Sequence, residues 1–189
     1  MKNKILTTTL ATALLSLTMA PAIFAADAVR TETTSSTATA TADAHFMDEV
    51  TRGGLTEIEA AKIAQDKTKR DDVKAFAKTM EADHTDVNKN LKTLADRMAM
   101  KLPTNVGDHQ AFIDGLKLKT DSDFDRTYIA ATVDSHRKCV AMFELFWGST
   151  QNADLKAFAA NTLPGLRTHL KNAETLLVAL GGASGTAAK

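Results

Sequence analysis

Three histidines, His84, His136 and His169, hold the best prospect of chemistry in this sequence. Each falls on the inward, largely apolar side of its segment. An imidazole in such a place offers a transition metal a neutral nitrogen, or serves as a buried hydrogen-bonding group. Glu81 stands three residues before His84, so on a helix both side chains leave the same face. Glu57 sits at the inner edge of the preceding segment. Glu57, Glu81, His84, His136 and His169 together make a donor set that suits Zn, Cu, Fe or Mn. The competing reading makes the histidines core residues bonded to a carboxylate or carbonyl of a neighbouring helix, with Glu81 solvated. His45 and His109 fall at helix or loop ends and take no role.

Sulfur adds less. Cys139 is the single cysteine, which excludes an intrachain disulfide framework and a Cys-rich metal site. It follows His136 by three residues, as a nucleophile pair requires, but a small thiol on a helix is ordinary core material. Met80, Met98, Met100 and Met142 raise copper, although Met at helical spacing serves packing more often. No Gly-rich phosphate loop, Gly-x-Ser-x-Gly elbow or Ser/His/Asp order is present. No specific reaction follows from the residues.

The elements that position these groups read as helices. Between Asp71 and Met98, the residues Val73, Phe76, Met80, Val87, Leu91, Leu94 and Met98 recur at three- and four-residue steps, with His84 filling the gap. A preceding helix, about His45 to Lys69, turns Val50, Ile58, Ala61, Ala64 and Thr68 inward. Gly53 and Gly54 weaken it, and Thr56-x-x-Glu59 offers an alternative start as a capping box. A continuous or kinked helix, with the glycines allowing close approach, is the favoured reading. Pro103 and Gly107 break the chain after the second helix, and a short helical turn is expected around Phe112 to Leu118. The third helix, about Asp123 to Gly148, places Phe124 or Ile129, Thr132, His136, Val140, Phe143 and Trp147 on one side. The fourth, about Asn152 to Leu180, places Leu155, Phe158, Leu166, His169, Ala173, Leu176 and Leu180 on its seam. Pro164 is expected to kink or interrupt it.

Asp72-Val-Lys-Ala-Phe-Ala-Lys and Asp154-Leu-Lys-Ala-Phe-Ala-Ala are near-copies at the starts of the second and fourth helices. The chain therefore reads as a duplicated helical hairpin forming an all-α, up-down four-helix bundle. At about 1.5 Å of rise per residue, Glu57 and His84 reach the same height within roughly 5 Å in an antiparallel pair. His136 and His169, counted from the turn near Ser149 to Gln151, agree to about one helical turn. All four then meet near mid-height.

The rest of the chain bounds the setting. Basic and acidic residues number 23 each, which leaves no excess to hold a phosphate backbone, so nucleic acid is not an expected partner. Lys2 and Lys4, the uncharged run Ile5 to Met19 and the small residues of Pro21 to Ala26 form a secretory signal peptide, assigned to 1–25. Residues 26–44, rich in Thr, Ala and Ser, read as a disordered linker, and 181–189 as a flexible tail. The bundle spans 45–180. No later stretch is apolar enough to cross a bilayer, so an exported, periplasmic protein is expected.

Several of these residues resemble the DUF4142 family of exported bacterial proteins. Phe46…Gly54-x-x-Glu57-Ile58 and Val73-Lys74-x-Phe76-Ala77-x-x-Met80-x-x-Asp83-His84 carry the first half of the likeness. Phe124-Asp125-x-x-Tyr128, Asp134-x-His136 and Leu155-Lys156-x-Phe158-Ala159…Leu163-Pro164-x-Leu166-x-x-His169-Leu170 carry the second. The resemblance implies a ferritin-like helical fold, a signal peptide and no established activity. A di-iron site would need Glu from two helices and Glu-x-x-His from two others. Glu57 and Glu81-x-x-His84 fit, but Leu166 stands where the second motif needs its acid and His136 where a Glu is required. The leading expectation is a non-enzymatic binding or envelope-stress module with a protein partner. The alternative is a metal-binding or metal-dependent redox protein with a His/Glu site inside the bundle.

Overall fold

The computed structural model describes the backbone of residues 24–183 and the side chains of residues 40–181. It divides the chain into two units, Met1–Ser35 and Ser36–Lys189. Of the first unit, residues 24–35 are described, and they are helical. Residues 1–23 of the expected leader and 184–189 of the expected tail lie outside the described residues.

The described residues form five α-helices: α1 (Phe24–Lys67), α2 (Asp71–Arg97), the short α3 (Gln110–Lys117), α4 (Asp121–Ser149) and α5 (Ala153–Ala183). A single 3-10 turn at Gly107–His109 leads into α3, and no strand occurs among the described residues. Sequence chemistry accounts for the ends. Asp71 and Asp72 occupy the first turn of α2 and Arg97 its last, each complementing the helix dipole. The Asn152 side chain accepts the backbone N–H groups of Asp154 and Leu155, which caps α5.

Two expectations change. Where a linker was expected at 26–44, the backbone is helical and joins α1 without a break. Ala is the best helix former, and near the end of the stretch Asp43 accepts a hydrogen bond from the Thr150 hydroxyl at 2.9 Å. α1 runs unbroken through Gly53 and Gly54, and Thr56, the alternative start, is helix interior: its hydroxyl donates to the Arg52 carbonyl at 2.7 Å. Of the two glycines, Gly54 is the one under constraint, since a Cβ there would strike the Asn88 amide, whereas one at Gly53 would meet open space. Finally, Trp147 is 47% exposed and Phe146 is buried in its stead. One residue is about 100° of helix, enough to exchange core for surface. Pro164 lies within α5, which continues past it to Ala183.

The duplicated segments bury matching positions, Val73, Phe76 and Ala77 in α2, and Leu155, Phe158 and Ala159 in α5. The core falls into two apolar clusters. One gathers Ala61, Phe76, Ile113, Phe124 and Tyr128 among others. The other gathers Phe46, Leu91, Phe143, Phe146 and Leu155 among others. Along each of the four long helices the sequence passes from one cluster to the other across a polar residue: Glu57 in α1, His84 in α2, His136 in α4 and His169 in α5. That polar layer holds the candidate site residues. Among the described residues, no helix is long and apolar enough to cross a membrane.

Candidate metal centre

The three imidazoles converge. Ring centroids lie 5.4 Å apart for His84 and His136, 5.3 Å for His84 and His169, and 5.4 Å for His136 and His169. Each ring offers one ligand atom such that all three atoms fall within 4.8 Å of one another. Exposure is 6% for His84, 2% for His136 and 4% for His169, so water does not serve them freely.

Each ring has one nitrogen occupied. His84 Nδ1 lies 3.0 Å from the Met80 carbonyl, one turn back on its own helix. His136 Nδ1 stands in the same relation to the Thr132 carbonyl at 3.1 Å. A carbonyl only accepts, so both Nδ1 atoms carry the proton and both Nε2 atoms keep a lone pair. His169 is turned the other way, with Nε2 2.8 Å from an Asp83 carboxylate oxygen on α2, which leaves Nδ1. Two of the three remaining nitrogens, His136 Nε2 and His169 Nδ1, are buried with no hydrogen-bond partner. Burial, followed by the neighbouring His169, pulls His84 down to about 4. Burial, followed by His84 and His169, pulls His136 down to about 3. These two rings are neutral at physiological pH, the form that ligates metals.

The carboxylates stand behind the rings. Glu57 approaches His136 on its Nδ1 side at 3.7 Å, opposite the free nitrogen, and accepts the Ser135 hydroxyl at 2.6 Å. Burial raises the Glu57 carboxyl to about 7, against the opposing pull of Ser135. Glu81 is not brought to the cluster. It accepts the Gln65 amide at 2.6 Å and lies 3.7 Å from Lys62, facing α1 at the edge of the bundle. Three residues of separation leave it about 60° around the helix from His84, enough to change its neighbour. Asp83, to which the sequence reading gave no role, is the residue that orients His169. Its only local signal is adjacency to His84, which on a helix points it toward the next element. His45 is exposed near Glu49, and His109 bonds Thr56 at 2.8 Å; neither joins the site.

Residues 28–176 match the family model described as a domain of unknown function, DUF4142. The chain belongs to the DUF4142 family. Solved structures share its fold. A DUF305 fragment from Deinococcus radiodurans superposes with a TM-score of 0.64 at 12% identity, covering 72% of this chain and 95% of its own. A DUF305 protein from Streptomyces coelicolor gives 0.63 at 17% identity, over 74% and 94%. CopM in its Cu(I)-bound form gives 0.60 at 18% identity, over 70% and 93%. No curated protein matches the chain. At these identities the likeness is one of fold, and this DUF4142 chain must be read from its own site.

Proposed function

We propose that this DUF4142 protein is an exported, periplasmic helical bundle that binds one Cu(I) ion through His84, His136 and His169, without catalysing a reaction. In this reading the four long helices form an up-down, ferritin-like bundle of two duplicated hairpins, and residues 1–25 are a cleaved leader. The observation that carries it is the pair of buried nitrogens without partners, His136 Nε2 and His169 Nδ1. Leaving a buried acceptor unsatisfied costs about 1–3 kcal/mol, and a shared cation would satisfy both. The hydrogen bonds to Met80, Thr132 and Asp83 fix each ring with its lone pair free, as outer partners of metal-ligating histidines do. Imidazoles bound to one ion at about 2.0–2.1 Å stand roughly 3.3–3.6 Å apart, so no pair here has more than about 1.5 Å to close.

The donor set selects among the metals. With both nearby carboxylates behind the rings, three neutral nitrogens remain, which disfavours Mn and a carboxylate-dependent iron site. Desolvation rises with the square of the ionic charge, so a monovalent ion is the cheaper guest for a neutral, buried set. Cu(I) meets that condition better than Zn(II). The Cu(I)-bound neighbour of the same fold supports the choice. Elemental analysis of tag-free protein after anaerobic incubation with Cu(I), Zn, Fe and Mn tests it, beside His84→Ala and His136→Leu. One equivalent of copper in the wild type and none in the variants is expected. No copper, or equal copper in all three, overturns the reading.

A further inference from the structure

The imidazole layer is open on two sides. A cleft of about 600 Å³ between α2 and α5 ends on His84 and His169. A second, of about 620 Å³ beside α1 and α4, ends on His84, His136 and Glu57. The walls differ in chemistry. Near the rings the first cleft presents Asp83, Asp86, Asn90 and Thr162, oxygen and amide donors with little affinity for a soft cation. The second shares Thr162 and carries carboxylates and hydroxyls of its own, but it adds two sulfurs, Cys139 and Met142, which the first lacks. His136, Cys139 and Met142 follow one another on α4 at steps of three residues, about 4.5 Å of rise and 60° of turn each, and all three line the second cleft. His136, 2% exposed with its Nε2 unpartnered, lines the same cleft.

We propose that the α1/α4 cleft is the route by which a soft metal ion enters and leaves the imidazole layer, with Cys139 and Met142 as sulfur ligands that hold it in transit. This rests on the copper reading above and assigns it an exchange path. Thiolate and thioether are the side chains that best compete with imidazole for Cu(I), so a ladder of sulfur, sulfur and nitrogen lets each bond form before the previous one breaks. When the thiol takes the ion, the S–H bond gives way to S–Cu and the proton passes to water in the cleft. The reverse occurs as the ion moves on, and no electron is transferred. Burial pushes the Cys139 thiol up to about 12, which keeps it protonated and quiet until a cation displaces the proton.

Two glycines give the test. Gly53 lines the α1/α4 cleft and Gly165 the α2/α5 cleft, and a Cβ at either meets nothing within 4 Å. Gly53→Phe and Gly165→Phe therefore plug one cleft each. Protein loaded with one Cu(I) is mixed with excess bathocuproine disulfonate, and the transfer rate is followed by absorbance. Gly53→Phe and the double variant Cys139→Ser/Met142→Leu are expected to slow transfer by about tenfold or more, with binding stoichiometry kept and Gly165→Phe at the wild-type rate. Slowing by Gly165→Phe alone would place the route in the other cleft. An unchanged rate in the sulfur double variant overturns the relay, and a matching loss of copper affinity there would make the sulfurs resident ligands. If wild-type protein takes up no copper dependent on His136, the reading beneath has failed, and that result is separable from all of these.

Discussion

His136 and Phe143 lie two turns apart on the same seam of α4, and the packing around them is alike. Exposure is 2% and 1%. His136 faces His84 and His169 at centroid distances of 5.4 Å, and Phe143 faces Phe46 at 5.0 Å and Phe158 at 6.1 Å. The energetics part company. The phenylalanine layer satisfies everything it buries, since its rings have no polar atom to lose. The imidazole layer buries nitrogens that nothing in the described chain bonds. A seam position that accepts Phe one layer away has no packing need for an imidazole. In the proposed reading the middle layer is held in place by the apolar clusters on either side, and its composition serves a ligand.

The largest expected effect breaks the supporting side. Phe143→Ala removes a buried ring from two aromatic neighbours and should lower stability by about 3–5 kcal/mol, read from urea unfolding, while native protein still takes up one copper. His136→Leu tests the other side. It removes an unbonded nitrogen and should leave metal-free stability unchanged or raised by up to about 1–3 kcal/mol, with copper uptake lost. A stability loss comparable to that of Phe143→Ala would make the histidine layer structural after all.

Asp83→Asn sharpens the comparison within the layer. It weakens the hold on His169 Nε2 without touching the apolar clusters, so copper affinity should fall by about 10–100-fold at constant stoichiometry, measured by chelator competition.

The smallest effect is a pH dependence in metal-free protein. His84 and His136 are depressed from 6.5 to about 4 and about 3, so their stabilising contribution is complete above 6.5. It drains away as pH falls from 6.5 toward those values, because the unfolded chain takes up protons that the folded chain refuses. Glu57, raised from 4.5 to about 7, works the opposite way and favours the fold as pH falls from 7 to 4.5. Two groups against one leave a net loss on the order of 1 kcal/mol between pH 7.5 and pH 5. Glu57→Gln removes the opposing group and should steepen the loss. A wild type that gains stability over this interval would contradict the placement of the imidazoles.

Much of this arrangement was legible in the sequence. The three- and four-residue recurrence fixed the inward sides of α2, α4 and α5, and rise per residue brought Glu57, His84, His136 and His169 to one height. Periodicity gives each residue a direction from its own axis but not the rotation of one helix against the next. That is why Glu81 was grouped with His84 when it faces Gln65, and why Asp83, on the flank toward α5, went without a role. It is also why Phe146 and Trp147 exchanged places. The Ala- and Thr-rich stretch before His45 misled for another reason. Without an apolar stripe it has no helical signature, and the hydrogen bond from Thr150 to Asp43 joins positions far apart in the chain.

The most direct test of a three-imidazole copper site is X-ray absorption on the Cu(I)-loaded protein. The account predicts a low-coordinate Cu(I) edge with three nitrogen neighbours, outer-shell scattering typical of imidazole, and no sulfur. A spectrum fitted by sulfur neighbours, or one unchanged in His136→Leu, would contradict it.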